Sequence, residues 1–320
     1  MTATMTATMT VTPSEVSALP DDSPQKRVTD VATESLSRLF GEMKTLGGRQ
    51  FWADVFFLHG WRIQQNILTG HCRLLDPQDH RHRSGALETC VRRLEEVQNK
   101  RHLPPMSGRV VILIHGIGRS SKCFSAMGKA LQQDDCLPVG FDYPSTRVSI
   151  PQSATFLRRL LNSMPQVETV DVVCHSMGGL VLRSLWADHG EPRLHRVVML
   201  GVPNKGAEMA NFLRKNPVFR MLLGPAGQQL VTDAEGLIGR LPSPNVEFGI
   251  IAGGRGTDRG YNPLLPGDND MTVTVESTRL NGAADFLRLP VIHSFLMTDP
   301  AAIEATRRFL RTGRFAGTAS

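Results

Sequence analysis

The chain lacks the features typical of secreted and membrane-spanning proteins. Its five cysteines are odd in number and have no paired spacing, so we expect no disulfide framework and a reducing compartment. The opening MTATMTATMT has no basic region followed by a long apolar one, so we expect no secretory signal and a cytoplasmic location. The longest early apolar cluster, from Phe51 to Trp61, contains Asp54 and is too short to cross a bilayer.

Positive charge is in excess but is not concentrated in one block. The formal net charge is +6, and the Lys and Arg residues are spread through the chain without a nucleic-acid recognition module. We therefore predict no nucleic-acid partner. The excess charge allows weak peripheral contact with an anionic membrane surface, whereas the oligomeric state is not indicated by the sequence.

Metal-binding residue types occur early in the chain, but their spacing is wrong for a structural zinc site. His71, Cys72, His80 and His82 match none of the paired zinc motifs. A basic, solvated loop is the preferred interpretation, and no metal is expected.

The first third of the chain predicts a disordered tail and a mostly helical extension. Residues 1–27 are poor in large apolar groups, which predicts disorder, and residues 28–105 form the extension. Helical stripes run from Leu36 to Met43 and from Leu87 to Leu94, and between them Trp61 to Asp76 gives a weak hairpin signal. Four nearby aromatic residues could pack in the core, which we prefer, or rest on lipid: Trp52, Phe56, Phe57 and Trp61.

From residue 106 to residue 320 the pattern predicts an α/β domain with a mainly parallel sheet. Short apolar runs are each followed by a turn and a helical stretch, with helices expected after Ser121, Pro151, Met177, Lys205 and Pro300. Residues 212–245 are expected to form a small cap-like insert. The predicted strands are Arg109–Ile114, Leu137–Phe141, Val167–Cys174, Arg196–Leu200 and Phe248–Ala252.

The most specific local pattern is an apolar strand that ends in Ser176 and passes directly into a helix. A serine on such a turn is held in a strained conformation with its hydroxyl available for attack, and Gly178 and Gly179 let strand and helix approach closely. Cys174 stands where the G-x-S-x-G pattern has its first glycine. Simple helix capping by Ser176 is the alternative.

A serine nucleophile on this turn requires a base that follows it in the chain. Only His189, His195 and His293 do so. His189 ends the helix and His195 precedes a strand, whereas His293 follows the apolar run from Leu289 to Ile292. We therefore predict His293 as the base.

The acid that orients the base is expected on the loop after Phe248–Ala252. This loop contains Asp268 and Asp270, and we predict Asp270 as the acid and Asp268 as a loop-shaping residue. An Asx-turn without a catalytic role is the alternative for either residue. Asp142 precedes the serine and is a poorer candidate.

A glycine-containing loop after the strand Arg109–Ile114 predicts an oxyanion hole. The segment His115-Gly116-Ile117-Gly118 allows backbone N–H groups to face inward, and we predict the amides of Ile117 and Met177 as the two donors. An ordinary strand-to-helix turn is the alternative.

Five segments together resemble the bacterial lipase and esterase branch of the α/β-hydrolases: HGIG, HSMGG, GVPNKGAEMAN, GDND and VIHSFL. They lie between residues 110 and 310. The pairing of HGIG with HSMGG is similar to small bacterial lipases in which Ile and Met amides form the oxyanion hole, and NDM is similar to the acid-bearing NDG turn. The resemblance implies carboxyl-ester hydrolysis and does not extend to residues 1–108.

The sequence therefore predicts a serine hydrolase that acts on a small-molecule ester or lipid, without a metal or organic cofactor. An acyltransferase or a thioesterase would use the same residues. The alternative from another class is a catalytically silent scaffold acting as a binding or membrane-associated module, because of Cys174 and the unassigned N-terminal region.

Overall fold

A small antiparallel sheet precedes the main sheet. The computed structural model describes residues 48–188, 190–207, 224–230 and 236–316. Residues 59 and 60, between the first two strands, both have positive φ (45° and 86°), the type I′ geometry that suits the twist of a hairpin. The four strands pair in chain order: β1 Trp52–Leu58, β2 Trp61–Asn66, β3 Cys72–Leu75 and β4 Arg81–Gly85.

This sheet corrects the prediction of a mostly helical extension. Residues 52–85 are strands and turns, and helix α1, Leu87–Arg101, follows them where the second apolar stripe predicted it. The prediction was wrong because a register shift between Asp54 and Phe56 removes the alternation that would have identified β1 as a strand. The hairpin signal was correct and corresponds to β2 and β3. The stripe from Leu36 to Met43 and the predicted tail lie outside the described residues.

The larger sheet has six strands, all parallel: β5 Gly108–Ile114, β6 Leu137–Phe141, β7 Val167–His175, β8 Leu194–Leu200, β9 Glu247–Gly253 and β10 Asp285–Leu289. Five were predicted to within two residues at each end. Strand β10 was not predicted. The apolar run that the sequence offers in this region, Leu289 to Ile292, begins only at the last residue of β10 and continues into the loop after it. Across the sheet the strands lie in the order β10-β9-β8-β7-β5-β6.

Helices cover both faces of this sheet, which gives a three-layer α/β arrangement. One core cluster joins α2 and α5 to Val111 and Leu113, and the other joins α3 and α4 to Val110, Ile112 and Ile114. The alternation along β5 therefore sends successive side chains to opposite layers. The helix expected after Lys205 falls on residues outside the described ones. The four helices are α2 Ser125–Leu131, α3 Ile150–Asn162, α4 Met177–Asp188 and α5 Pro300–Thr312.

The small sheet shares the hydrophobic core of the α3 and α4 layer. Strand β1 packs against α3, and the buried side chains of Phe57 and Trp61 belong to the same cluster as Val110. These aromatic side chains are therefore core residues. The antiparallel sheet and the main sheet are therefore built around a common interior.

A buried carboxylate joins three neighbouring strands of the main sheet. Asp171 of β7 has no exposed surface, and it accepts hydrogen bonds from Arg109 Nε of β5 at 2.6 Å and from the Arg196 amide of β8 at 2.9 Å. His195 Nδ1 lies 3.1 Å from the same carboxylate. A fully buried charge is stable only with such partners.

We expect Asp171→Asn to lower the free energy of unfolding by about 3 kcal/mol, because an amide NH2 would face the Arg109 guanidinium and leave it unpaired. Urea unfolding monitored by circular dichroism measures this. Glu168→Gln is the matched control, since Glu168 is an exposed carboxylate on the same strand, and its effect should stay within about 0.5 kcal/mol. Equal midpoints for the two variants would contradict the prediction.

Of the cap-like insert predicted over residues 212–245, the structure describes residues 224–230 and 236–245. They contain a helical turn at 224–228 and a short helix, Leu237–Arg240. Arg183 of α4 donates to the Leu241 carbonyl and, at 3.0 Å, to the Pro242 carbonyl, which fixes this segment on the helix. The rest of the predicted cap lies outside the described residues. Across the described ranges, every helix is too short or too polar to cross a membrane.

Candidate active site

Ser176 lies on a sharp turn between β7 and α4, with no other residue between the two elements. Its φ is +53°, a conformation that few non-glycine residues adopt. The Ser176 amide donates to the Leu200 carbonyl at 2.9 Å, and its carbonyl accepts from the Gly179 amide at 3.1 Å. The serine is thus held in a strained conformation at the carboxyl end of an interior strand, as the sequence pattern predicted.

Small residues around the turn allow strand, loop and helix to approach closely. A Cβ added at Gly178 would lie 2.5 Å from the Ile114 carbonyl oxygen and 2.8 Å from that of His115. Cys174 is fully buried, and its Sγ lies 3.6 Å from the Val198 carbonyl oxygen, within the core. The side chain at the position of the missing glycine therefore points into the interior, and the turn forms with it.

We expect Gly178→Ala to destabilise the fold by about 2 kcal/mol, because the added methyl would meet backbone atoms that cannot move cheaply. Gly128→Ala in α2 is the matched control, since its added Cβ would find its nearest atom at 3.6 Å. That change should stabilise the chain by about 0.5 to 1 kcal/mol through helix propensity. Thermal unfolding of both variants tests the pair, and a stable Gly178→Ala protein would refute it.

The loop after β5 lies directly against the serine. A Cβ added at Gly116 would lie 3.0 Å from Ser176 Cβ. The loop is held by the Tyr143 hydroxyl, which donates to the His115 carbonyl at 2.6 Å, and by the Gly118 amide, which donates to Ser145 Oγ at 2.9 Å. Within the described ranges, the amides of Ile117 and Met177 donate to no acceptor. Both N–H groups are thus available on the two segments that flank Ser176.

Asp270 and His293 are brought together by two hydrogen bonds. His293 Nδ1 lies 2.6 Å from Asp270 Oδ2, and the His293 amide donates to the Asp270 carbonyl at 2.8 Å. The other carboxylate oxygen of Asp270 accepts from the amides of Thr272 at 3.0 Å and Val273 at 2.8 Å. Asp270 has no exposed surface and His293 is 7% exposed. The carboxylate therefore fixes both the tautomer and the orientation of the imidazole.

Asp268 has a different role in the same loop. Its oxygens accept from the amides of Arg255 at 2.7 Å and Gly256 at 2.8 Å, and Arg288 Nε lies 4.0 Å away. These contacts fix the start of the loop after β9, and none of them involves His293. They agree with the loop-shaping role expected from the sequence.

The His293 ring lies beside the turn that carries Ser176. The rings of His293 and His175 are 4.6 Å apart, and a Cβ added at Gly201 would lie 3.1 Å from His293 Nδ1. In the described part of the chain no hydrogen bond joins the Ser176 hydroxyl to the imidazole. Such bonds are often long without substrate and shorten during reaction.

His175 was not identified as a functional candidate from the sequence. It is 1% exposed, and its Nε2 donates to the His293 carbonyl at 3.0 Å, so Nδ1 carries no proton and has no partner among the described residues. Burial, and then the neighbouring His293, lower the pKa of His175 well below its usual value. The neutral ring therefore ties the His293 segment to the nucleophile strand. The sequence feature that could have identified His175 as a candidate is its position next to Ser176.

The remaining candidates lie elsewhere. His195 contacts Asp171 at the amino end of β8, which is the opposite end of the sheet from Ser176. Asp142 accepts from the Ser121 amide at 2.6 Å and from Arg62 Nη1 at 2.7 Å. His189 lies outside the described residues.

The sheet order, the strand–serine–helix turn and the placement of the loops that carry Asp270 and His293 are those of the α/β-hydrolase fold. The lipase BlEst2 of Bacillus licheniformis in its mature form superposes with a TM-score of 0.51 at 18% identity, covering 66% of this chain and 94% of the lipase chain. Its propeptide form gives a TM-score of 0.51 at 19% identity, covering 68% of this chain and 52% of that one. At these identities the likeness shows the fold: the chain is an α/β-hydrolase in architecture.

Sequence comparison adds one match. A family model described as a domain of unknown function, DUF7379, matches residues 81–236, which include β5, β7 and the Ser176 turn. None of the curated proteins compared with the chain matches it.

Proposed function

We propose that the chain is a serine hydrolase that cleaves carboxylic esters, with Ser176 as nucleophile, His293 as base and Asp270 as the acid that orients it. The observation that carries the proposal is the strained serine, beside a histidine that is hydrogen-bonded to a buried carboxylate at 2.6 Å. A serine hydroxyl is a weak nucleophile without such a base.

In the proposed reaction, His293 removes the Ser176 proton as the hydroxyl oxygen attacks the ester carbonyl carbon. The amides of Ile117 and Met177 donate to the oxyanion of the tetrahedral intermediate. The imidazolium then gives its proton to the departing alkoxide, which leaves an acyl ester on Ser176. A water molecule, deprotonated by His293, releases the carboxylic acid by the same steps. Asp270 stabilises the charged imidazolium throughout.

A fluorophosphonate probe tests this proposal directly. We expect it to label Ser176 in the wild-type protein, as identified by peptide mass spectrometry, and to leave Ser176→Ala unlabelled. The same preparation should hydrolyse p-nitrophenyl esters. An unlabelled wild-type protein would refute the proposal in favour of the silent scaffold, and transfer of the acyl group to an added alcohol in preference to water would identify an acyltransferase. From the sequence we expect apolar residues of the predicted cap, Phe219 and Met221 to Leu223, to line an acyl groove and to favour medium-chain over acetyl esters. These residues lie outside the described ones.

A further inference from the structure

A small charged cavity lies between the antiparallel sheet and the loops after β5 and β6. Its volume is about 120 Å³, whereas pockets for whole organic ligands are typically about 300 Å³ or larger. It has room for one small charged group. The charged side chains that line it are Arg62, Arg73, Asp79, Arg119, Lys122 and Asp142.

Part of this charge is neutralised inside the cavity. Arg62 pairs with Asp142 at 2.7 Å and also with Asp79, and Lys122 Nζ lies 2.5 Å from the other oxygen of Asp79. Both lining carboxylates are therefore already bound by lining cations. Two further cations remain.

Arg73 is held in place by neutral partners. Its Nε and Nη2 donate to Gln64 Oε1 at 3.0 and 2.7 Å, and its guanidinium carbon lies 4.0 Å from the centre of the Trp52 ring. Gln64 is fixed in turn by its donation to Asp54 at 2.8 Å. No carboxylate of the described chain lies within ion-pair distance of Arg73. Burial lowers its pKa to about 10, so the group remains a cation at neutral pH.

Arg119 lies on a loop that borders both the cavity and the candidate active site. It lies two residues after Ile117, on the loop whose Gly116 contacts Ser176. Its positive charge is one of the causes that lower the pKa of His175, next to the serine. Across the described ranges, Arg119 has no carboxylate within ion-pair distance. Tyr143, another lining residue, holds the same loop through the His115 carbonyl.

We propose that this cavity binds the phosphate monoester group of the ester substrate, through the guanidinium groups of Arg73 and Arg119. The substrate assignment rests on the proposed ester hydrolase function, whereas anion binding does not. Two cations that have no ion-paired carboxylate among the described residues match the charge of a phosphate monoester at pH 7, about −1.5 to −2. Guanidinium groups also offer paired N–H donors to phosphate oxygens. Within the described ranges neither arginine has a carboxylate at ion-pair distance, and a partly buried cation without one is otherwise unfavourable.

Binding is tested by isothermal titration calorimetry in a buffer of low ionic strength without phosphate, with sn-glycerol 3-phosphate and inorganic phosphate as probes. We expect the wild-type protein to bind glycerol 3-phosphate at least tenfold more tightly than Arg73→Gln or Arg119→Gln. Arg92→Gln is the matched control, because Arg92 is an exposed arginine of α1, and it should bind as the wild type does. Equal affinity in all four proteins would overturn the site.

The two probes distinguish a substrate group from a free anion. Tighter binding of glycerol 3-phosphate than of inorganic phosphate supports a substrate group, and tighter binding of inorganic phosphate overturns the substrate assignment. Arg73→Lys keeps the positive charge but lacks the paired N–H donors of a guanidinium group. If this variant has the melting temperature of the wild type and binds glycerol 3-phosphate several-fold more weakly, the result supports the guanidinium contacts. If both Arg73→Lys and Arg119→Lys bind glycerol 3-phosphate as tightly as the wild type does, the proposed guanidinium contacts are overturned.

A kinetic comparison completes the test. The esters 1-butyrylglycerol and 1-butyryl-sn-glycerol 3-phosphate differ only in the phosphate. We expect kcat/KM to favour the phosphorylated ester at least tenfold, and this ratio to fall towards one in Arg73→Gln and Arg119→Gln but not in Arg92→Gln. Equal rates for both esters in the wild type would overturn the substrate assignment. Absence of any hydrolysis would instead refute the hydrolase function, while the calorimetric result would stand.

Discussion

Replacing Ser176 with Ala is expected to reduce kcat for a p-nitrophenyl ester by about 10⁴-fold to 10⁶-fold. His293→Ala should cause a loss of similar size, because the hydroxyl is reactive only when the imidazole takes its proton. The double variant should be scarcely slower than either single one, since each change removes the same coupled unit. Initial rates with purified proteins of equal thermal stability measure the three losses.

Two controls separate this coupling from damage to the fold. Ser107→Ala removes an exposed serine, and His195→Gln changes the histidine at the far end of β8. Both residues are exposed and lie at the amino ends of β5 and β8, away from the serine turn, so both variants should keep the wild-type rate within about threefold. Losses in the Ser176 and His293 variants that multiply in the double variant would show that the two residues act independently, against the proposed mechanism.

The second large effect is expected at the acid. Asp270→Asn should lower kcat by about 10⁴-fold, because an amide cannot hold the Nδ1 proton and stabilise the imidazolium as the carboxylate does. The backbone bond from the His293 amide to the Asp270 carbonyl does not depend on the side chain, so the loop should keep its place. The loss should therefore appear in kcat with little change in thermal stability.

Asp268→Asn is the matched control, two residues away in the same loop. Its carboxylate binds the amides of Arg255 and Gly256, so the change should lower the melting temperature by a few degrees and kcat by less than about tenfold. If Asp268→Asn proves the slower enzyme, the acid has been assigned to the wrong residue.

The parts of the fold that follow local rules could be predicted from the sequence. The parallel strands are continuous apolar runs because both faces are covered by helices, and the serine turn requires small residues at fixed offsets. His293 was reached by elimination among three histidines. In the structure its Nδ1 lies within hydrogen-bond distance of the Asp270 carboxylate, a contact between residues 23 positions apart in the chain.

The parts that depend on distant contacts were missed. Strand β1 carries a bulge that hides its period, and β10 contains Asp285 and Arg288 beside its apolar residues, so neither has a clean strand pattern. The link from His175 to the His293 carbonyl joins residues 118 positions apart. Likewise, Arg73 and Arg119 line one cavity because the antiparallel sheet lies beside the loop after β5, which no local pattern indicates.

Strand β6 ends the larger sheet on one side, and its second residue is Pro138. An open strand edge offers unpaired N–H and C=O groups to any passing chain, and proline removes a donor from that edge. The strand is also short, with five residues. The proline and the short length of the strand both limit edge-to-edge self-association at this border. Pro138→Val would restore a backbone donor and place a β-branched residue on that edge, which favours pairing between copies of the protein.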